Sequence, residues 1–163
     1  MENSRFPLDS PKKRPAMKPR ILLIEDDTVR IEMFRSWLAA GVYAGEFVLI
    51  VATSGGQALG VLKMDISAVA GICLDHDLVL QQKTASDATK SGSDIVSIIN
   101  SRIPKHVPIL VHSMNAIKGS EMHRRLEGQG FTATRIPMSN LTARGFEAWV
   151  GEVRDNWDPD VED

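Results

Sequence analysis

The sequence predicts an α/β domain built on a single doubly wound, five-stranded parallel sheet with helices on both faces. Five short apolar or β-branched runs alternate with five stretches whose apolar residues recur at helical spacing. The first run, Ile21-Leu22-Leu23-Ile24, is continuously apolar, as a strand covered on both faces must be. The 163 residues form about one domain's length. Right-handed crossovers leave few topologies for five βα units, and the strand order 2-1-3-4-5 is the common one.

In chain order, Ile21–Ile24 is the first strand, and Thr28–Ala40 follows as a helix with Val29, Met33, Phe34, Trp37 and Leu38 spaced for one face. Phe47–Ala52 is the second strand, and the helix over Ser54–Lys63 groups Ala58, Leu59 and Leu62. Val69–Leu74 gives the third strand, and Gly92–Arg102 a helix through Ile95, Val96, Ile98 and Ile99. Pro104 and Pro108 introduce the fourth strand, Val107–Val111. Ile117–Glu127 is a helix stopped by Gly128, Phe131–Ile136 is the fifth strand, and Leu141–Val153 is the last helix. Trp37, Trp149 and the methionines read as core.

Composition excludes several classes. Hydrophobic residues at 43% and charged residues at 25% are globular values, unlike those of a disordered or collagen-like chain. The lone Cys73 permits no internal disulfide and fits a reducing compartment. No apolar run reaches the ~20 residues of a membrane span, and no signal-peptide core opens the chain, so a cytoplasmic location is expected. The net charge of −2 conceals a basic, proline-rich head over residues 1–19 and an acidic tail over 156–163, both expected to be flexible. The domain itself is expected over 20–155, with no dedicated DNA-binding domain after it.

Chemistry is expected beyond the carboxyl ends of the strands, near the switch in strand order. Glu25-Asp26-Asp27 follows the first strand, Asp75-His76-Asp77 the third and His112-Ser113 the fourth, and the predicted order makes these strands neighbours. Carboxylates crowded on one rim repel, so a cation binds or some of them protonate. A hard divalent ion with oxygen ligands satisfies that requirement, and Mg²⁺ also accepts phosphate oxygens. Asp75 is then the central carboxylate. Asp27 is well explained as a helix N-cap, without a catalytic role.

Ile21 through Asp27, with Asp75 and Ser113 at the next strand ends, resembles a receiver domain of two-component response regulators, whose fold is flavodoxin-like. The resemblance covers residues 20 to about 155. It implies that Glu25 and Asp26 bind Mg²⁺, that Asp75 accepts a phosphoryl group, that Ser113 hydrogen-bonds it and that Asp77 offers a backbone carbonyl to the metal. Leu74-Asp75-His76-Asp77-Leu78, His112-Ser113-Met114-Asn115 and Ser91-Gly92-Ser93-Asp94 are similar to a divergent branch, the cyclic-phosphate-processing receiver domains.

Two departures from the ordinary receiver bear on function. Ile136-Pro137 replaces the family's strand-five Lys-Pro, which removes the cation that contacts the phosphoryl group, and Gly92 lies seventeen positions after Asp75, leaving a loop over 79–91 long enough for a lid. A point charge is lost while two strand-end histidines are gained, and histidine shuttles protons near neutral pH. Opening a cyclic phosphodiester needs an activated water, a proton for the leaving oxygen and cations at the phosphate.

The expected site therefore has Glu25, Asp26, Asp75 and Asp77 at Mg²⁺, Ser113 and Asn115 at phosphate, and His76 or His112 moving protons beside Asp75. His112 has an alternative as a packed, hydrogen-bonded residue on the opposite face from Ser113. Lys118 is a possible substitute for the lost lysine. The expected ligand is a phosphate-containing small molecule or an RNA end. A phosphorelay domain, phosphorylated on Asp75 by a partner histidine kinase, is the second reading, and a pseudo-receiver that binds a protein without chemistry is the third.

Overall fold

The computed structural model describes residues 17–78 and 91–158. The expected flexible head lies almost wholly outside the described residues, as do the end of the tail and loop residues 79–90.

Five strands and five helices alternate: β1 (Arg20–Ile24), α1 (Thr28–Ala40), β2 (Val48–Ala52), α2 (Gly55–Lys63), β3 (Val69–Leu74), α3 (Gly92–Arg102), β4 (Ile109–Val111), α4 (Ala116–Gly128), β5 (Ala133–Arg135) and α5 (Ala143–Asn156). The strands form one sheet in the order β2-β1-β3-β4-β5, and every neighbouring pair is parallel. Each face of the sheet carries its own apolar cluster. Leu22, Ile24, Ile72, Leu74, Ile109 and Val111 meet α2, α3 and α4 through residues such as Leu62, Ile95, Ile99 and Met122. Ile21, Leu23, Cys73 and Leu110 meet α1 and α5 through Phe34, Leu38, Phe146 and Trp149. The continuous apolar run of β1 is thus divided residue by residue between two cores.

Helix starts are set by side-chain caps. Asp27 Oδ1 accepts from the backbone N–H groups of Val29 and Arg30, Ser54 caps α2, Ser91 and Asp94 form a capping box on α3, and Thr142 caps α5. The β4 and β5 strands are each only three residues long, shorter than the sequence patterns predicted. Val107 and Phe131 are buried in the core without being part of a ladder, so their apolar character records burial rather than strand pairing. The methionines divide: Met122 and Met138 are buried, whereas Met17, Met33, Met64 and Met114 are exposed.

Register aligns the rim. Ile24 pairs with Leu74 and Leu74 with Val111. The hydrogen bonding continues one residue further, from the Asp75 N–H to the Ile24 carbonyl and from the His112 N–H to the Leu74 carbonyl. An extra residue in β3, where the register shifts between Arg20 and Ile21, sets this level. Gly92 opens α3 directly under the rim, where a Cβ would lie 2.5 Å from the Asp75 carbonyl oxygen and 2.7 Å from the His76 Cα. Only glycine lets the helix approach the strand end so closely.

Replacing Gly92 by Ala should therefore lower unfolding stability by about 1–3 kcal/mol. Gly128→Ala is the control, because its added methyl meets nothing within 4 Å. Equal urea midpoints for the two variants would contradict this role of Gly92.

Candidate functional site

Glu25, Asp26 and Asp75 converge at the carboxyl ends of β1 and β3, and all three are buried. One carboxylate oxygen from each lies within 4.8 Å of the others. Glu25 Oε1 accepts from the backbone N–H groups of Asp26 and Asp27 at 3.0 and 2.9 Å, which turns its second oxygen inward. That atom, Oε2, is buried and has no hydrogen-bond partner. Its contacts are the Arg30 Nη1 at 3.6 Å and the His112 Nδ1 at 3.5 Å, too long to satisfy it as hydrogen bonds. Asp75 Oδ1 accepts from the His76 N–H at 2.7 Å, Ser113 stands beside this carboxylate and helps to hold its proton affinity down, and Oδ2 lies 3.6 Å from Arg30 Nη1.

Burial dominates the electrostatics. It pushes the Glu25 carboxyl up to about 7, opposed by the Asp27 N–H and reinforced by the nearby Asp75 charge. Burial likewise raises Asp75, against the His76 N–H and Ser113 bonds. Glu25 and Asp75 thus hold protons more tightly than isolated carboxylates do, and a divalent ion with oxygen ligands would relieve the same strain. An orphaned, buried carboxylate oxygen among hard donors fits Mg²⁺. Glu25, Asp26 and Asp75 can supply side-chain ligands. The Asp77 carboxylate is exposed and sits on the His76 Nδ1 at 2.7 Å, which leaves Asp77 its backbone carbonyl, the group the resemblance assigns to the metal.

The two histidines differ. His112 is fully buried, its ring stands 5.0 Å from the Phe34 ring, and neither ring nitrogen has a hydrogen-bond partner. Desolvation and the Arg30 charge push it down to about 3, so it is neutral at physiological pH. The ring is packed on the Phe34 side, as the alternative reading expected, but without the hydrogen bond that reading gave it. His76 is at the rim and is 13% exposed, and the Asp77 carboxylate holds its Nδ1. The arrangement leaves Nε2 as the proton-accepting nitrogen. His106 is exposed, and His123 bonds the Ala133 carbonyl on a different part of the surface.

Ser113 is fully buried beside Asp75, and its Oγ accepts from the Asn115 N–H at 3.2 Å. Asn115 is the N-cap of α4, with Oδ1 accepting from the Lys118 N–H. Lys118 itself is turned outward onto Glu121 at 3.1 Å, so the structure does not bring it to the carboxylates. Ile136, in the position of the family lysine, packs against the α1–α5 cluster. Sequence reasoning missed Arg30, which contacts both Glu25 and Asp75. A signal was available: Arg30 stands in the first turn of α1, where the helix dipole disfavours a cation unless anions lie opposite.

The family model of the cyclic-phosphate processing receiver domain matches residues 21–128. The chain belongs to that family. No curated protein matches the sequence. Solved receiver domains share the fold. One, from an HD domain-containing protein of Pseudomonas fluorescens Pf-5, has a TM-score of 0.63 at 14% identity, covering 85% of this chain and 96% of that one. A receiver domain protein from Clostridium thermocellum has a TM-score of 0.61 at 15% identity, with 84% and 94% covered. The phosphorylated cyanobacterial phytochrome response regulator RcpA has a TM-score of 0.60 at 19% identity, with 83% and 91% covered. No described helix of this receiver domain is long and apolar enough to cross a membrane.

The raised Glu25 value predicts a pH dependence of stability. Between its ordinary 4.5 and about 7, the folded state keeps a proton that the unfolded chain releases. Stability from this group is full below the lower value and is lost as pH rises through the upper one. In EDTA, Glu25→Gln should therefore gain on the wild type by roughly 2–3 kcal/mol between about pH 5 and about pH 8. Urea midpoints at the two pH values check this, and a constant difference would contradict it.

Proposed function

We propose that this receiver domain is a Mg²⁺-dependent phosphate-handling site that opens a cyclic phosphate or a related phosphoester. The observation that carries the reading is the buried trio Glu25, Asp26 and Asp75 with its unpartnered Oε2, at the rim where the Ser113 hydroxyl meets Asp75.

The trio and the Asp77 carbonyl would hold Mg²⁺, which supplies positive charge to phosphate oxygens and acidity to a bound water. Ser113 donates to the phosphate from a position fixed by the end of β4. Asn115 holds the start of α4 against Ser113 through its backbone N–H and its cap, and its amide is at hand for the ligand. His76 moves the proton: Asp77 fixes its Nδ1–H, and Nε2 can take a proton from water or return one to the leaving oxygen. His112 lacks exposure and is neutral, so it supports the site by packing under Glu25 rather than by exchanging protons with a ligand. A substrate with a phosphate group, either a small molecule or an RNA end, matches these groups.

The place of Ser113 beside Asp75 also supports a second reading, in which Asp75 is phosphorylated by a partner kinase. A single set of assays separates the two. With Mg²⁺, the purified chain should turn over a member of a panel of cyclic nucleotides and cyclic-phosphate RNA ends. EDTA or Asp75→Asn should abolish turnover, and His76→Ala should reduce it by about 10²-fold or more. No turnover across the panel would overturn the proposal. A phosphate adduct in the intact mass after treatment with a small phosphodonor, lost in Asp75→Asn, would then favour the switch.

A further inference from the structure

Phosphate carries more negative charge than one divalent ion neutralises beside three carboxylates, so a site of this kind needs a second cation. The lysine that supplies it in ordinary receivers is Ile136 here, half-buried against the α1–α5 cluster. Lys118 is committed to Glu121, and the Arg135 Nη2 points at the Ala116 carbonyl at 3.4 Å. Among the described residues, the basic side chain that lies within 4 Å of both Glu25 and Asp75 is Arg30.

Its placement is built rather than incidental. The Asp27 cap accepts the Arg30 backbone N–H at 3.1 Å and so fixes the first turn of α1 over the end of β1. The guanidinium stands 3.6 Å from Glu25 Oε2 and 3.6 Å from Asp75 Oδ2, midway between the two buried acids. Both distances exceed hydrogen-bond length, so neither carboxylate holds it in a two-pronged bond. Its side chain is 29% exposed, whereas the two carboxylates it faces are buried. A cation in the first turn of a helix opposes the macrodipole, a cost the adjacent anions offset.

We propose that Arg30 is the phosphate-contacting cation of this site, reaching it from α1 and replacing the charge lost with the strand-five lysine. The inference rests on the phosphate-handling reading and names a residue that reading does not use. Without ligand, Arg30 offsets part of the negative charge of Glu25 and Asp75. When a phosphate oxygen arrives at Asp75, the guanidinium donates to it, a geometry for which its planar donors suit better than an ammonium. The two roles have opposite consequences. Arg30 repels a divalent ion from the carboxylates and attracts the phosphate.

The test uses the full chain with Arg30→Gln, which keeps most of the stem and removes the charge, and Arg30→Lys, which keeps a charge. Mg²⁺ is titrated calorimetrically, and inorganic phosphate is then titrated into the Mg²⁺-saturated protein. Arg30→Gln should bind Mg²⁺ several-fold more tightly than wild type and phosphate about tenfold or more weakly. Arg30→Lys should fall between the two for both ligands. Affinities that are unchanged, or that shift in the same direction for both ligands, would overturn the role of Arg30 while the site reading stands. Wild-type protein that takes up neither Mg²⁺ nor phosphate would remove the site reading and this inference together.

Discussion

The structure turns on the burial of three carboxylates at one edge of a parallel sheet. Glu25, Asp26 and Asp75 have almost no exposed surface, and burying an unpaired charge costs several kcal/mol even after relaxation. The fold meets that cost with backbone N–H groups on Glu25 and Asp75, with the Ser113 hydroxyl, with Arg30 at longer range and with a raised proton affinity. Glu25 Oε2 is still left without a hydrogen bond. Packing alone does not account for such an arrangement, since apolar side chains of similar volume would stabilise the rim better. The residues that hold the cluster together are also the ones whose chemistry suits a cation and a phosphate.

Much of this was legible in the sequence because it depends on periodicity and on strand ends. The continuous apolar β1, the alternating pattern and the acids after Ile24 and Leu74 give the sheet order and the rim, because register in a parallel sheet aligns strand ends. Asp27 was readable as a cap from its place before a helix. The glycine that leads α3 was visible as a motif, but its reason, the approach to the Asp75 carbonyl, needed coordinates.

What was not legible depends on side-chain reach. Arg30 is five positions beyond Glu25 on a helix, and nothing in linear spacing says that its guanidinium turns back over the strand end. Lys118 was equally plausible by type and points to Glu121 instead. Alternation offered the opposite-face direction of His112 as an alternative, but its tilted contact with the Phe34 ring and its lack of hydrogen bonds were not legible. The short β4 and β5 were overestimated because buried apolar residues next to a strand look like a strand.

Membership of the cyclic-phosphate processing receiver family and the shared receiver fold fix the scaffold, and the chemistry is argued from this chain's own rim. The proposed function requires the buried trio to be a divalent-metal site. Crystals grown with Mn²⁺ in place of Mg²⁺ test it most directly through anomalous scattering. One peak is expected within coordination distance of Glu25, Asp26 and Asp75, absent from Glu25→Gln crystals grown in the same way. No peak there, or peaks only on exposed carboxylates such as Asp65, would contradict it.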